Sequence, residues 1–286
     1  MSTNTKTGAE LNQIARLLFD AAANSWCFSG IAQILAGVTG IVVSLLTLND
    51  SEKLISAIAG FGVLLIAYCL KMKSDDQYST AETMRRQAAF SEGLNWPISS
   101  TLKSEWLRRV GNKIIKKAET NPRAEDYYNS EEETGPRKLL EMTIESAFYT
   151  RHLYSYLTGL LWVLFLGSIF LCFLVLSFLT SKIVPNEYVT LIAYALYLVL
   201  PILLSLDLIG SIIKLNGLTS AILEVEKDME RLAGEDNPNS DQVIRLVSEY
   251  NCQVACGIPI HPFLFKIWQD GISKLWNIRK NATESE

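Results

Sequence analysis

The chain has 286 residues, 49% of them hydrophobic and 20% charged, with a formal net charge of −4 and a mean hydropathy of +0.18. This balance excludes a chain that lies wholly in lipid, because the apolar residues collect in four blocks and the remainder is polar. Nucleic acid is not expected as a partner.

From the N-terminus, Ala9 to Trp26 carries apolar residues at Leu11, Ile14, Leu17, Leu18 and Ala22. This is helical spacing, and it runs without Gly or Pro into the first apolar block, Gly30 to Leu48. The leading "MSTNTKTGAELNQ" lacks the basic and apolar regions of a secretory leader, so no cleavage is expected. A second, shorter block occupies Leu54 to Leu70, between Lys53 and Lys71. "STAETMRRQAAFSEGL" follows, where Ser79 and Glu82 match a capping box and predict a new helix start. After "NWPISS", the run "TLKSEWLRRVGNKIIKKAE" predicts one amphipathic helix with Leu102, Trp106, Leu107, Val110, Ile114 and Ile115 on its apolar stripe.

Thr134 and Pro136 supply a cap and a first-turn proline for a helix that continues into the third block, Tyr156 to Leu179. No charge interrupts the chain between Arg151 and Lys182. The fourth block runs from Tyr188 to about Leu208 and carries Pro201 in its middle, where the missing N–H favours a bend. Beyond it, Leu218, Ile222, Val225, Met229 and Leu232 keep the helical period. Ser240 to Cys256 is a further amphipathic run stopped by Gly257 and Pro259. The tail from Pro262 to Lys280 mixes Phe263, Ile267, Trp268, Leu275 and Trp276 with Lys266, Lys274, Arg279 and Lys280. It suits either an anionic lipid surface or packing on the long helices.

A hydrocarbon core about 30 Å thick takes roughly 20 apolar residues per helix, so four spans are expected. Lysines and arginines set their orientation. The connectors "NDSEK" and "TSKIVPNEY" hold one each, whereas Lys71 to Arg151 holds fourteen and the chain from Lys214 onward holds eight, placing both termini and the middle segment in the cytoplasm. The expected organisation is an N-terminal cytoplasmic helix (1–26), a first transmembrane hairpin (27–72), a cytoplasmic helical segment (73–150), a second hairpin (151–215) and a C-terminal cytoplasmic helical segment (216–286). The fold class is therefore an all-α membrane protein with two hairpins whose helices extend into a cytoplasmic bundle.

No Walker A loop, G-x-G-x-x-G, G-x-S-x-G or H-E-x-x-H occurs, and His152 and His261 stand apart with no matched nucleophile. Neither catalysis nor a cofactor or metal is expected. Cys252 and Cys256, four residues apart, read as a buried helix face rather than ligands. Tyr149, Tyr154, Tyr156 and Trp162 read as membrane-interface anchors. Gly30, Gly37 and Gly40 in the first span, with Gly60 and Gly62 in the second, allow close helix approach, either within one hairpin or between subunits around a pore. Asp207 lies about 29 Å along the fourth span at 1.5 Å per residue, near its cytoplasmic edge, with Ser211 and Lys214 on roughly the same face. Two roles are open for it: an ion pair with Lys71, Arg151 or Lys214, or part of a cation-favouring pore mouth that would include Ser211, Lys214 and the bend at Pro201.

Four spans in two hairpins, together with "AETMRRQAAFSEGLNWP", "YYNSEEETGPRKLLEMTIESAFYTRHL" and "CGIPIHPFLFKIW", resemble the four-transmembrane pore-forming effectors of bacterial conflict systems. These comprise the effectors associated with SMODS nucleotidyltransferases and the related SLATT-type membrane effectors. The resemblance implies a bacterial inner-membrane protein that forms homo-oligomers and permeabilises its own bilayer during phage infection. Its implied trigger is a nucleotide second messenger or a nucleotidyltransferase-linked partner. The resemblance carries no catalytic residue onto this chain. A non-conducting membrane scaffold or sensor is the alternative reading.

Overall fold

A computed structural model describes residues 3–45, 49–120, 130, 132–180 and 208–283. Among them every regular element is an α-helix and no strand occurs. In chain order these are α1 (Thr3–Leu45), α2 (Asp50–Leu94), α3 (Ser100–Val110), α4 (Asn112–Thr120), α5 (Pro136–Thr180), α6 (Leu208–Ala233), α7 (Ser240–Ala255) and α8 (Pro262–Thr283). The polar run ahead of the first apolar block is continuous with it in α1, and Pro136 opens α5, which runs unbroken into the third block.

Two of the expected helix boundaries are corrected. The capping box that starts α2 is at Asn49 and Glu52, where the Asn49 side chain accepts from the Glu52 N–H at 2.9 Å and the Glu52 carboxylate accepts from the Asn49 N–H at 3.1 Å. Ser79 and Glu82 lie inside the same helix, because nothing between Lys71 and Leu94 breaks it and the Glu82 carboxylate is taken by Arg85 at 2.8 Å. The single amphipathic helix after "NWPISS" is two helices, α3 and α4, separated at Gly111, whose φ of +80° is a conformation that side chains disfavour. The break turns the stripe: Trp106, Val110 and Ala118 are buried, while Leu102 is exposed. α2 itself ends where Asn95 turns left-handed at φ +57°, two residues before Pro97.

The chain divides into two compact units. Unit 1 comprises Met1–Asn24, Ser74–Ser155 and Leu215–Glu286. Its interior packs Leu11, Ile14, Ala15 and Leu18 of α1 against Ala81, Met84 and Ala88 of α2 and against Trp106, Val110 and Ala118. Alanines fully buried in both α1 and α2 let the two helices approach closely, and Ser74 closes the contact by donating to the Ala22 carbonyl at 2.8 Å. Leu218, Ile222, Val225, Met229 and Leu232 of α6 are all buried, as their spacing predicts. Each large side chain so buried contributes about 1.5–3 kcal/mol.

Unit 2 comprises Ser25–Lys73 and Tyr156–Lys214. There Ser29 donates to the Ala67 carbonyl at 2.8 Å, and Leu157, Thr158 and Leu161 are buried. Leu54, Ile55, Ile58, Phe61, Leu65, Val163, Leu166 and Phe170 point outward. Among the described residues, three helices are long and apolar enough to cross a membrane: Leu54–Leu94 in α2, Pro136–Phe170 in α5 and Leu208–Ala233, which is α6 and the least apolar of the three. The first contains the second apolar block of the sequence, and the second contains the third block as far as Phe170. The first block as far as Leu45 forms the end of α1, with the side chains of Val38 and of Ile41 onward outside the described residues, and the fourth lies outside them up to Asp207.

Candidate functional site

Polar residues inside a helical body need partners, and unit 1 gathers several such pairs in one buried layer, although Asn251 Nδ2 and Trp276 Nε1 are buried there without a hydrogen bond. α2 contributes Tyr78, Glu82 and Arg85, spaced four and three apart on one face. Tyr78 donates its single hydroxyl proton to the Val254 carbonyl at 2.9 Å, so the 3.1 Å contact with Tyr154 has Tyr154 as donor. Arg85 holds Glu82 through two nitrogens, reaches the Asn251 side-chain oxygen at 3.2 Å and lies over the Tyr250 ring at 5.6 Å. Tyr250 meets Thr150 at 3.1 Å, and burial raises its phenol above the ordinary value of 10.0. It is therefore a neutral hydrogen-bonding group at physiological pH.

The layer continues at Glu226, whose side chain is only 2% exposed. Arg151 donates to one of its oxygens at 2.7 Å and Arg279 to the other, and Arg279 also holds Glu230 at 2.9 Å. One carboxylate thus ties α5 to α6 and α8. The Phe148 ring lies beneath both guanidinium groups, 5.7 Å from Arg151 and 5.0 Å from Arg279, with Trp276 5.5 Å from the latter. Charge-assisted bonds and ring faces together fix both arginines in place. His152 stands beside this cluster, its Nδ1 2.8 Å from the Phe148 carbonyl. Phe148, Arg151, His152, Glu226, Leu275 and Arg279 line an open groove of about 290 Å³.

Gly257 sits where α7 gives way to the loop before α8. A methyl group there would collide with the hydroxyls of both Tyr78 and Tyr154. Gly93 is similar, with a Cβ meeting the Leu139 Cα at 2.9 Å. These two glycines are close-approach points that spacing alone did not single out. Glu226 did leave a signal: it is four residues after Ile222 and three before Met229, an acid on the buried stripe of α6.

The residues singled out from the sequence fall elsewhere. Asp207 and Pro201 lie outside the described residues. Ser211 is half-buried and Lys214 exposed on α6, while Arg151, one cation offered to Asp207, already has Glu226. Gly30, Gly37, Gly60 and Gly62 are partly exposed, and the surroundings of Gly40 are not described. A Cβ at Gly60 or Gly62 would meet nothing within 4 Å among the described residues, so neither is a close-approach point within that part of the chain. Tyr154 is no interface anchor: it is buried in the tyrosine pair because Tyr78 and Gly257 leave it a polar niche. Tyr149 bonds Ser273 at 3.0 Å, whereas Tyr156 and Trp162 are exposed. Cys252 and Cys256 are exposed as well, since Val243, Leu246, Val247, Tyr250 and Val254 take the buried face of α7.

No nucleophile and base meet in this layer, and among the described residues no group of three or more His, Cys, Asp or Glu is placed to hold a metal ion. Its chemistry is that of a charged, hydrogen-bonded clasp between helices. No protein-family model, curated protein or solved structure matches the chain. The clasp and the apolar helices are therefore what bears on function.

Proposed function

We propose that the protein is a non-enzymatic, membrane-permeabilising effector of bacterial anti-phage defence, seated in the inner membrane with both termini cytoplasmic and triggered through unit 1. One observation carries this reading. α1, α2 and α5 each run without a break from packed, water-type surroundings in unit 1 to outward-facing apolar residues in unit 2. A helix resists bending, so rearrangement of the clasp at Glu226 or Tyr154 would be carried along α5 toward the lipid-facing residues. Trigger binding at the arginine groove would compete with Glu226 for Arg151 and Arg279. A nucleotide second messenger or a nucleotidyltransferase-linked protein is the class of trigger implied by the family resemblance.

Homo-oligomerisation belongs to the same proposal. Without a hydrophobic drive in lipid, helices associate through small residues, and an added Cβ at Gly60 or Gly62 meets nothing within 4 Å among the described residues. The pore-mouth role of Asp207, Ser211, Lys214 and Pro201 also remains part of it.

The test is induced expression in bacteria with a voltage-sensitive dye, paired with dye release from liposomes holding the purified chain. Depolarisation and release on triggering are expected. An intact potential under phage challenge, with sealed liposomes at every protein density, would sink the proposal and leave the non-conducting scaffold or sensor. That second reading is favoured by the groove, whose paired charges and aromatic floor suit a partner's side chains.

A further inference from the structure

α8 is amphipathic twice over. Its inner face packs on unit 1: Ile272 is fully buried with Phe148 and Leu153, and Phe265, Trp268 and Trp276 pack around them. Arg279 fastens its far end to α6, and at its start His261 Nε2 lies 3.0 Å from the Asn24 side-chain oxygen. These partners settle the helix's rotation. Phe263, Ile267 and Ile278 must then face away, and they are 64%, 55% and 66% exposed. At about 100° per residue these three fall with Lys274 in a sector about 60° wide, and Asp270 and then Lys266 flank it on one side.

A soluble surface gains nothing from such a stripe, so something apolar covers it. Its charge points to the occupant. The chain as a whole is acidic at −4, yet beside the stripe α8 carries two lysines, Lys266 and Lys274, against one acid, Asp270.

We propose that α8 is an interfacial helix, with Phe263, Ile267 and Ile278 in the headgroup region of an anionic bilayer and Lys266 and Lys274 against lipid phosphates. This rests on the reading that unit 2 crosses the same bilayer, and it adds a dependence on lipid charge that spanning alone does not require. Through the Arg279–Glu226 contact, lipid composition would then act on the clasp.

The experiment uses the full chain with its native cysteines replaced, carrying an environment-sensitive fluorophore on Ile267→Cys or, separately, on Ile58→Cys. Each is reconstituted in phosphatidylcholine vesicles with or without phosphatidylglycerol. With the anionic lipid, quenching of the position-267 label by aqueous iodide should fall at least about threefold, and Lys266→Glu and Lys274→Glu together should restore it. The position-58 label should be protected in both lipids. Equal quenching at 267 in both lipids, with 58 protected, overturns the proposal and leaves the spanning reading intact. Protection at 267 that ignores lipid charge but rises with protein density also overturns it, in favour of a second copy of the chain. Free quenching at position 58 removes the spanning reading and this proposal together.

Discussion

Helix α2 passes through two chemical worlds, and comparing its halves explains most of the molecule. In unit 2, Leu54, Ile55, Ile58 and Phe61 face outward, and Ala67 alone is buried against Ser29. In unit 1, Ala81, Met84 and Ala88 face inward while Glu82 and Arg85 find partners within the body. Burial of apolar surface drives packing where water is the alternative, and loses that role where the surroundings are already hydrocarbon. Unit 1 therefore resembles a soluble core with an internal polar clasp. The described part of unit 2 is inverted, its greasiest side chains displayed.

The largest test of that difference is at Glu226. Glu226→Ala leaves the largely buried Arg151 without its carboxylate and Arg279 without one of its two, and thermal or denaturant unfolding in detergent should show a loss of about 3–5 kcal/mol. Unchanged stability would mean the clasp does not hold unit 1. Next comes a matched pair. Met84→Ala, in a fully buried site, should cost about 2–5 kcal/mol of stability, while Ile58→Ala in detergent should stay within about 0.5 kcal/mol. Ile58→Lys should instead impair insertion by up to about 3 kcal/mol, read as a falling membrane fraction. If Ile58→Lys were as harmless as an ordinary surface change, unit 2 would not be lipid-facing.

Gly257→Ala should destabilise by about 1–3 kcal/mol, because the methyl group collides with two hydroxyls. Combining it with Tyr154→Phe, which removes one of them, should recover part of the loss in a double-mutant cycle. The smallest effect belongs to Asp20. Burial raises its carboxyl above the ordinary 3.8, and Arg16, Lys117, His261 and Lys266 offset only part of that. The folded chain then holds this proton more tightly than the unfolded one, so its contribution to stability declines as pH rises from 3.8 through the folded value. Asp20→Asn should be slightly more stable than the parent near neutral pH, with the gain vanishing below pH 3.8 in melting curves.

Periodic elements were legible in the sequence. The stripe of α6 and the long continuities of α1 and α5 follow from unbroken helical spacing. Local signals misled where a longer element overrode them: Ser79 and Glu82 had the letters of a cap, but a helix already under way keeps going when nothing stops it. Gly111 hid inside an apparent stripe because only its backbone angle, not its spacing, separates α3 from α4. The clasp was least legible, since Tyr78, Tyr154, Glu226 and Arg279 are far apart in the chain and acquire roles only from each other.

By itself the sequence determined that this is a helical protein with membrane-length apolar stretches, because period and hydrophobicity are properties of neighbouring residues. Tertiary structure decided which charges are buried, which glycines are crowded and which apolar stripes stay uncovered. Those outcomes depend on what lies across a helix interface, and no window along the chain contains both sides of it.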